Sequence, residues 1–168
     1  DLMWRLCEIA ANRNIPIYFY GGSDDTLQKL RRVLQHSFPK LTIAGMVSPP
    51  YRELSLDEIR EDIRSINESR AGIVFICLGC PKQERWMADH RDNIKAVTIG
   101  VGAAFSYHAG TLIRAPLWMQ KSGLEWLFRL AAEPRRLWRR YFTTNSQYVF
   151  HAMMQYLKTR VGKPCRNG

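Results

Sequence analysis

The sequence predicts an α/β fold: a parallel sheet with helices on both faces, followed by a basic, aromatic helical segment. Three observations predict it. Short apolar runs of strand length alternate with polar stretches of helical spacing, the rhythm of strand–helix–strand units. Those runs are almost continuously apolar, as strands buried on both faces require. The rhythm then stops and the charge changes. Residues 1–110 carry 14 Lys/Arg against 13 Asp/Glu, whereas residues 111–168 carry 11 against 2. The reading therefore divides the chain into an α/β core over 1–110 and an Arg/Trp-rich segment over 111–168.

The elements follow in order. LMWRLCEIAANR (2–13) is read as a helix with Leu2, Leu6, Ile9 and Ala10 on one side. IPIYFYGG (15–22) is β-branched and aromatic and stops at paired glycines, which makes it a buried strand ending in a tight turn. SDDTLQKLRRVLQHSF (23–38) starts with capping residues and continues with Leu27, Leu30, Val33 and Leu34, an amphipathic helix. LTIAGMV (41–47) is a strand closed by SPPY. SLDEIREDIRSINES (55–69) is a helix whose Ser55 and Glu58 have the form of a capping box. AGIVFICLG (71–79) is the third strand, PKQERWMADHRD (81–92) a helix with Pro81 in its first turn, and KAVTIGVGAAF (95–105) the fourth strand. Residues 115–142 read as helical with a restart at Pro134, and 147–158 as one more helical stretch. The whole is Rossmann-like.

Composition narrows the function. A hydrophobic fraction of 46% and a charged fraction of 24% are those of a globular protein with a real core. No run approaches the roughly 18 apolar residues of a spanning helix, and no signal peptide is expected. Four cysteines in 168 residues make no disulfide framework and suit a reducing compartment. A net charge of +10, nearly all in the last third, points to an anionic partner: a phosphate ligand, a membrane surface or nucleic acid.

In open parallel sheets ligands sit beyond the carboxyl ends of the strands. Here those ends are Gly21–Gly22, Ser48–Pro49–Pro50, Gly79–Cys80–Pro81–Lys82–Gln83–Glu84 and Gly100–Val101–Gly102. Each is a loop where backbone can approach a ligand closely, although any one glycine can also simply end a strand. Helix starts after Gly22 and near Pro81 would aim amide hydrogens at a phosphate. None of these loops is a GxGxxG or Walker sequence, so neither a nicotinamide enzyme nor a P-loop ATPase is favoured. Cys77 and Cys80 have redox or zinc spacing, but Cys77 sits inside the apolar run, and Cys7 and Cys165 lie far off in sequence, so the cysteines are read as structural. Lys82 and Gln83 are the better ligand candidates, the one a positive charge, the other both donor and acceptor for a sugar or base. His108, in SYHAG, is weighed as a general base against a plain hydrogen-bonding loop residue. Asp24 and Asp25 are read as helix-capping residues.

Arg129, Arg135, Arg136, Arg139 and Arg140 are interleaved with Trp126, Leu127, Leu130, Leu137, Trp138, Tyr141 and Phe142. The 135/139 and 136/140 pairs each share a helix face. Such a helix suits an anionic membrane surface or a diphosphate, whose oxygens match guanidinium forks. It is equally consistent with aromatics in a core and arginines in solvent. Nucleic acid is the third candidate, and the aromatics suit packing better than base stacking.

GGSDDTLQKL, FPKLTIAGMVSPPY, GCPKQERWM, GVGAAFSYHAG and RAPLWMQKSGLEWLFRLAAEPRRLWRRY together resemble the WecG/TagA/CpsF family of bacterial glycosyltransferases, over roughly residues 1–150. The resemblance implies inverting transfer of an N-acetylhexosamine or related sugar from a UDP-sugar to a polyprenyl-diphosphate-linked acceptor, in surface-polysaccharide or teichoic-acid synthesis. It implies no cofactor and no metal, and a peripheral place on the cytoplasmic face of the membrane, in contact with anionic lipid. Nucleic acid is not an expected partner, and a homo-oligomer stays open. By resemblance Gln83 is the catalytic-site residue carried by this chain. The donor site comprises Gly21, Gly22, Ser48, Pro49, Gly79, Pro81, Lys82, Gln83, Glu84, Gly100, Gly102 and Ser106. The five arginines serve the acceptor diphosphate and the membrane. Two departures are expected to matter. Family members extend further at the N-terminus, where an Asp-Gly motif supplies the general base, so the chain as given is expected to lack that base. Ser106 stands where the family usually has Asp, and a hydroxyl is a weaker acceptor than a carboxylate. The alternative reading is a catalytically incomplete nucleotide- or membrane-binding module.

Overall fold

A computed structural model describes residues 2–132 together with 134, 154 and 155. The chain divides into two compact units, Asp1–Ile113 and residues 114 onward.

The first unit alternates helix and strand: α1 (Leu2–Arg13), β1 (Ile17–Gly21), α2 (Asp24–Ser37), β2 (Ile43–Val47), α3 (Leu56–Glu68), β3 (Ile73–Cys77), α4 (Lys82–His90), β4 (Val97–Gly100) and α5 (Ala104–His108). The four strands are parallel, in the order β2-β1-β3-β4, with Ile17 opposite Ile73 and Gly21 opposite Cys77 in the central pair. The Rossmann-like α/β class read from the sequence is thus the observed one.

Alternation along the strands builds a core on each face. Ile17, Phe19 and Phe75 point to one side, where they meet Met3, Cys7, Ala10, Leu27, Leu30, Leu34 and Phe105 of α1, α2 and α5. Tyr18, Tyr20, Val74 and Ile76 point to the other, against Ile66 of α3 and Trp86 of α4. Phe19 is the hub of the first face, with ring centroids 5.6 Å from Phe75 and 5.4 Å from Phe105. Phe105 is fully buried and fixes α5 behind the carboxyl end of β1. Burying a side chain of that size contributes roughly 2–3 kcal/mol.

Caps and turns account for the element ends. Ser23 is the N-cap of α2, its Oγ accepting from Thr26 N at 3.2 Å. Ser55 and Glu58 form the capping box expected for α3, with both reciprocal bonds present.

Four local readings are corrected. The buried stripe of α1 is Met3, Cys7, Ala10 and Ala11, whereas Leu2 and Ile9 are exposed. Cys7, Ala10 and Ala11 let the helix lie close to its neighbours, while Trp4 and Leu6 pack at the edge of the core. Asp24 and Asp25 are not the cap of α2. They lie in its first turn, where carboxylates complement the helix dipole, and Asp25 pairs with Lys29 at 2.7 Å. The run 95–105 is not one strand: β4 ends at Gly100, Gly102 turns the chain at φ 53°, and α5 begins at Ala104. The chain from 115 is not one continuous helix either.

In the second unit α6 (Leu117–Lys121) and α7 (Glu125–Ala132) are separated at Gly123, φ 70°. Leu124 N donates to Met119 O at 2.8 Å across that turn, and Gln120 Nε2 donates to Ala115 O at 2.6 Å. The expected helix after Pro134 and the stretch 147–158 fall almost wholly outside the described residues. Among the described residues no helix is long and apolar enough to cross a membrane.

Candidate functional site

The strand order itself locates a crevice. From β1 the chain crosses to β2 on one side, and from β3 it crosses to β4 on the other. The loops leaving the two central strands therefore diverge, and ligands of open α/β sheets sit at such a switch point.

Glycine closes the floor of this crevice. Gly21 has φ 108°, and a Cβ there would collide with the Cys77 carbonyl oxygen of the neighbouring strand. Only glycine satisfies both demands. Gly22 N then donates to Cys77 O at 3.1 Å, and Ser48 Oγ donates to Gly22 O at 2.7 Å. The ends of β1, β2 and β3 are thereby tied together, with Pro49 half-buried just past Ser48. A Cβ at Gly22 would stand 3.4 Å from the Phe105 ring, so α5 closes up behind this turn.

The fourth strand end joins through Gln83. This side chain is only 7% exposed, one of two buried polar residues among those described. Its Oε1 accepts from Gly102 N at 3.2 Å and its Nε2 donates to Glu84 Oε1 at 2.8 Å. Gly100 makes room for it, since a Cβ there would lie 2.9 Å from Gln83 Nε2 and 3.0 Å from Met87 Cε. The loops 79–84 and 100–102 thus open on the same side of the sheet. The backbone of the first loop is closed by Gln83 N donating to Gly79 O at 2.9 Å. Pro81 stands at the N-cap of α4, one position before the helix, and supplies no side-chain cap; of the first two amides of α4, that of Gln83 is taken by Gly79 O. Lys82 and Glu84 flank Gln83 on that first turn, both exposed.

Ser106 and His108 lie on α5 instead of in a strand-end loop. Ser106 lies in α5, half-buried, and its carbonyl takes the N–H of Thr111 and of Leu112, ending the helix. His108 is not in a loop but ends α5, its ring stacked on Trp4 with centroids 4.8 Å apart. Burial at the end of β3 pushes the Cys77 thiol up to about 11, away from thiolate chemistry, while Cys80 is exposed. Cys7 is buried in the core and pushed up to about 12 for the same reason. Among the described residues no three His, Cys, Asp or Glu side chains converge as a metal centre requires. Arg129 belongs to α7. Arg135, Arg136, Arg139 and Arg140 lie outside the described residues.

Two supports of the crevice escape a reading of the sequence. Tyr20, next to Gly21, donates to Asp62 of α3 at 2.6 Å and stacks on Trp86 of α4 at 4.8 Å. The only trace in the sequence is a tryptophan three residues after Gln83, on the same helical face. The loop after β2 is clasped by Arg52, which donates to both oxygens of Glu58 at 2.8 and 2.6 Å.

Fold and crevice define an open parallel α/β protein whose switch point is lined by backbone amides and one buried carboxamide. The profile of the glycosyl transferase WecG/TagA/CpsF family matches residues 1–162, and the chain belongs to that family. Among its relatives is the N-acetylglucosaminyldiphosphoundecaprenol N-acetyl-beta-D-mannosaminyltransferase of Bacillus subtilis (strain 168), 30% identical over 141 residues, which are 83% of this chain and 53% of that protein. The protein of the same description from Bacillus spizizenii (strain ATCC 23059 / NRRL B-14472 / W23) is 31% identical over 141 residues, 83% of this chain and 52% of its own length. The chain therefore spans about half the length of the curated relatives it matches.

Proposed function

We propose that the crevice at the carboxyl ends of β1–β4 holds a UDP-sugar, from which an N-acetylhexosamine or related sugar passes with inversion to a polyprenyl-diphosphate-linked acceptor. The observation that carries this reading is the closure of the loop 79–84 onto 100–102 through the buried Gln83. Family membership and the activity for which the Bacillus relatives are named support it.

The chemistry fits the geometry. As the glycosidic bond to the diphosphate breaks, negative charge grows on the leaving oxygens. The uncapped start of α4 and the Lys82 ammonium supply positive potential there without reorganising. Gln83 has its oxygen engaged by Gly102 and one Nε2 hydrogen by Glu84, which leaves the second Nε2 hydrogen as the donor it can offer a ligand. The diphosphate charge is met by these protein groups, and no metal is invoked. Arg129, Arg135, Arg136, Arg139 and Arg140 serve the acceptor diphosphate and anionic lipid, at the cytoplasmic face of the membrane.

The test is a thermal shift with UDP and UDP-N-acetylhexosamines at millimolar concentration, paired with transfer to a short-chain prenyl-diphosphate N-acetylglucosamine. Nucleotide binding raises the midpoint of the wild type, and Gln83→Ala loses most of the rise. Absence of any shift with uridine nucleotides would end the donor-site reading. A shift without transfer would leave a nucleotide-binding module in place of a complete enzyme.

A further inference from the structure

The opposite end of the same sheet carries a second feature. A cleft of about 580 Å³ is lined by Arg60, Arg64, Asn67, Glu68, Arg70 and Lys95. Arg70 precedes β3 and Lys95 precedes β4, so the cleft lies at the amino ends of the parallel strands, away from the crevice formed by their carboxyl ends.

Its walls are built and held. Arg60, Arg64 and Asn67 recur at i, i+4 and i+7 and form one stripe of α3. Asn67 fastens that stripe to the opposite wall: its Nδ2 donates to Asn93 O at 2.8 Å, and its Oδ1 accepts from Lys95 N at 2.9 Å. Arg70 N donates to Asn67 O at 3.3 Å, which turns the chain from α3 into β3.

Two observations single out the cationic side chains of this cleft. The first is charge. Arg60 is paired with Asp57 at 3.0 Å and Arg64 with Glu61 at 2.7 Å, both acids lying one turn earlier on α3. Arg70 and Lys95 make no ion pair among the described residues, and Glu68 is the one carboxylate against four cations in the lining. The second is backbone. Arg70 has φ 54°, the left-handed conformation in which helices usually end on glycine or asparagine. A long cationic side chain at that position is disfavoured by the backbone, so its presence asks for a use of the side chain itself.

We propose that this cleft is an anion site for a phosphate-bearing ligand with charge at more than one point, held between Arg70 and Lys95 with Arg60 and Arg64 on the flank. A free diphosphate and a phospholipid headgroup offer the same chemistry, and guanidinium forks suit both. The site is independent of the donor crevice and does not rest on the function proposed for it.

The experiment uses the intact chain. Affinity of this cleft for inorganic pyrophosphate is measured from the shifts of the amides of residues 70 and 95 in ¹H–¹⁵N spectra, and affinity for phosphatidylcholine–phosphatidylglycerol vesicles from the broadening of the same two signals, so that binding elsewhere on the chain does not enter. The test variant is Arg70→Gly/Lys95→Ala, and glycine at 70 suits the backbone, so folding is preserved. The control Arg32→Ala/Lys40→Ala removes equal charge from exposed positions elsewhere. The test variant loses at least about tenfold in affinity for one of the two probes, the control less than about twofold. Loss with pyrophosphate identifies a free ligand, and loss with vesicles alone a headgroup. No binding by the wild type, no loss in the test variant, or equal loss in the control overturns the proposal.

Discussion

The two ends of this parallel sheet are built from different materials. At the carboxyl end the contacts are backbone to backbone or backbone to a buried amide: Gly22 N on Cys77 O, Ser48 on Gly22 O, Gly102 N on Gln83. At the amino end, long charged side chains stand around an open cleft. The lesson is that added side-chain atoms are harmful at one end and dispensable at the other.

Substitutions can break that contrast. The largest effect is expected at Gly21. Gly21→Ala meets both the positive φ and the Cys77 carbonyl, and should lower stability in urea denaturation by about 3 kcal/mol. A loss under about 1 kcal/mol would mean that the floor of the crevice is not tightly closed. Gly100→Ala comes next. Its backbone is ordinary, but the methyl overpacks Gln83 and Met87, costing about 1–2 kcal/mol and displacing the amide from Gly102. Nucleotide-induced stabilisation should fall with it.

At the other end the sign reverses. Arg70→Gly relieves a left-handed arginine, and the unfolding free energy from urea denaturation should stay level or rise by up to about 1 kcal/mol, where a fall would assign Arg70 a structural role. The smallest effect belongs to the exposed clasp on the β2–α3 loop. Hydrogen bonding by Arg52, then by Ser55 N, holds the Glu58 carboxyl down at about 2. A depressed carboxylate stabilises the fold above its unfolded value and loses that contribution as pH falls toward 2. Arg52→Ala should therefore lower the thermal midpoint slightly at neutral pH, and the difference from wild type should vanish in acid. A difference that grows in acid would contradict the assignment.

How far the sequence could be read depended on whether side chains or backbone decided the matter. The strands at 17–21 and 73–77 are apolar runs rich in β-branched and aromatic residues, and the one at 43–47 is an apolar run closed by SPPY. The stretch VGAAF after Gly100 is just as apolar, yet it turns, because the φ of Gly102 decides there and apolarity does not. Likewise Gly123 breaks a run whose Leu and Trp spacing looks continuously helical. The loops of the crevice were visible as glycine-rich strand ends. The burial of Gln83 was not, since PKQER reads as a solvated first turn until β4 is set beside it. The amino-end cleft was hidden for a related reason: Arg60, Arg64, Arg70 and Lys95 look like separate surface charges until the sheet brings 67 and 95 together.

The central claim is that the carboxyl-end loops form one nucleotide cradle. The direct measurement is a UDP titration followed by ¹H–¹⁵N correlation spectra of the labelled chain. The amides of Gly22, Gly79, Gln83 and Gly102 should shift together with a single dissociation constant, distinct from that of any shift at Arg70 and Lys95. Shifts confined to one of these loops, or clustered at the amino end, would contradict it.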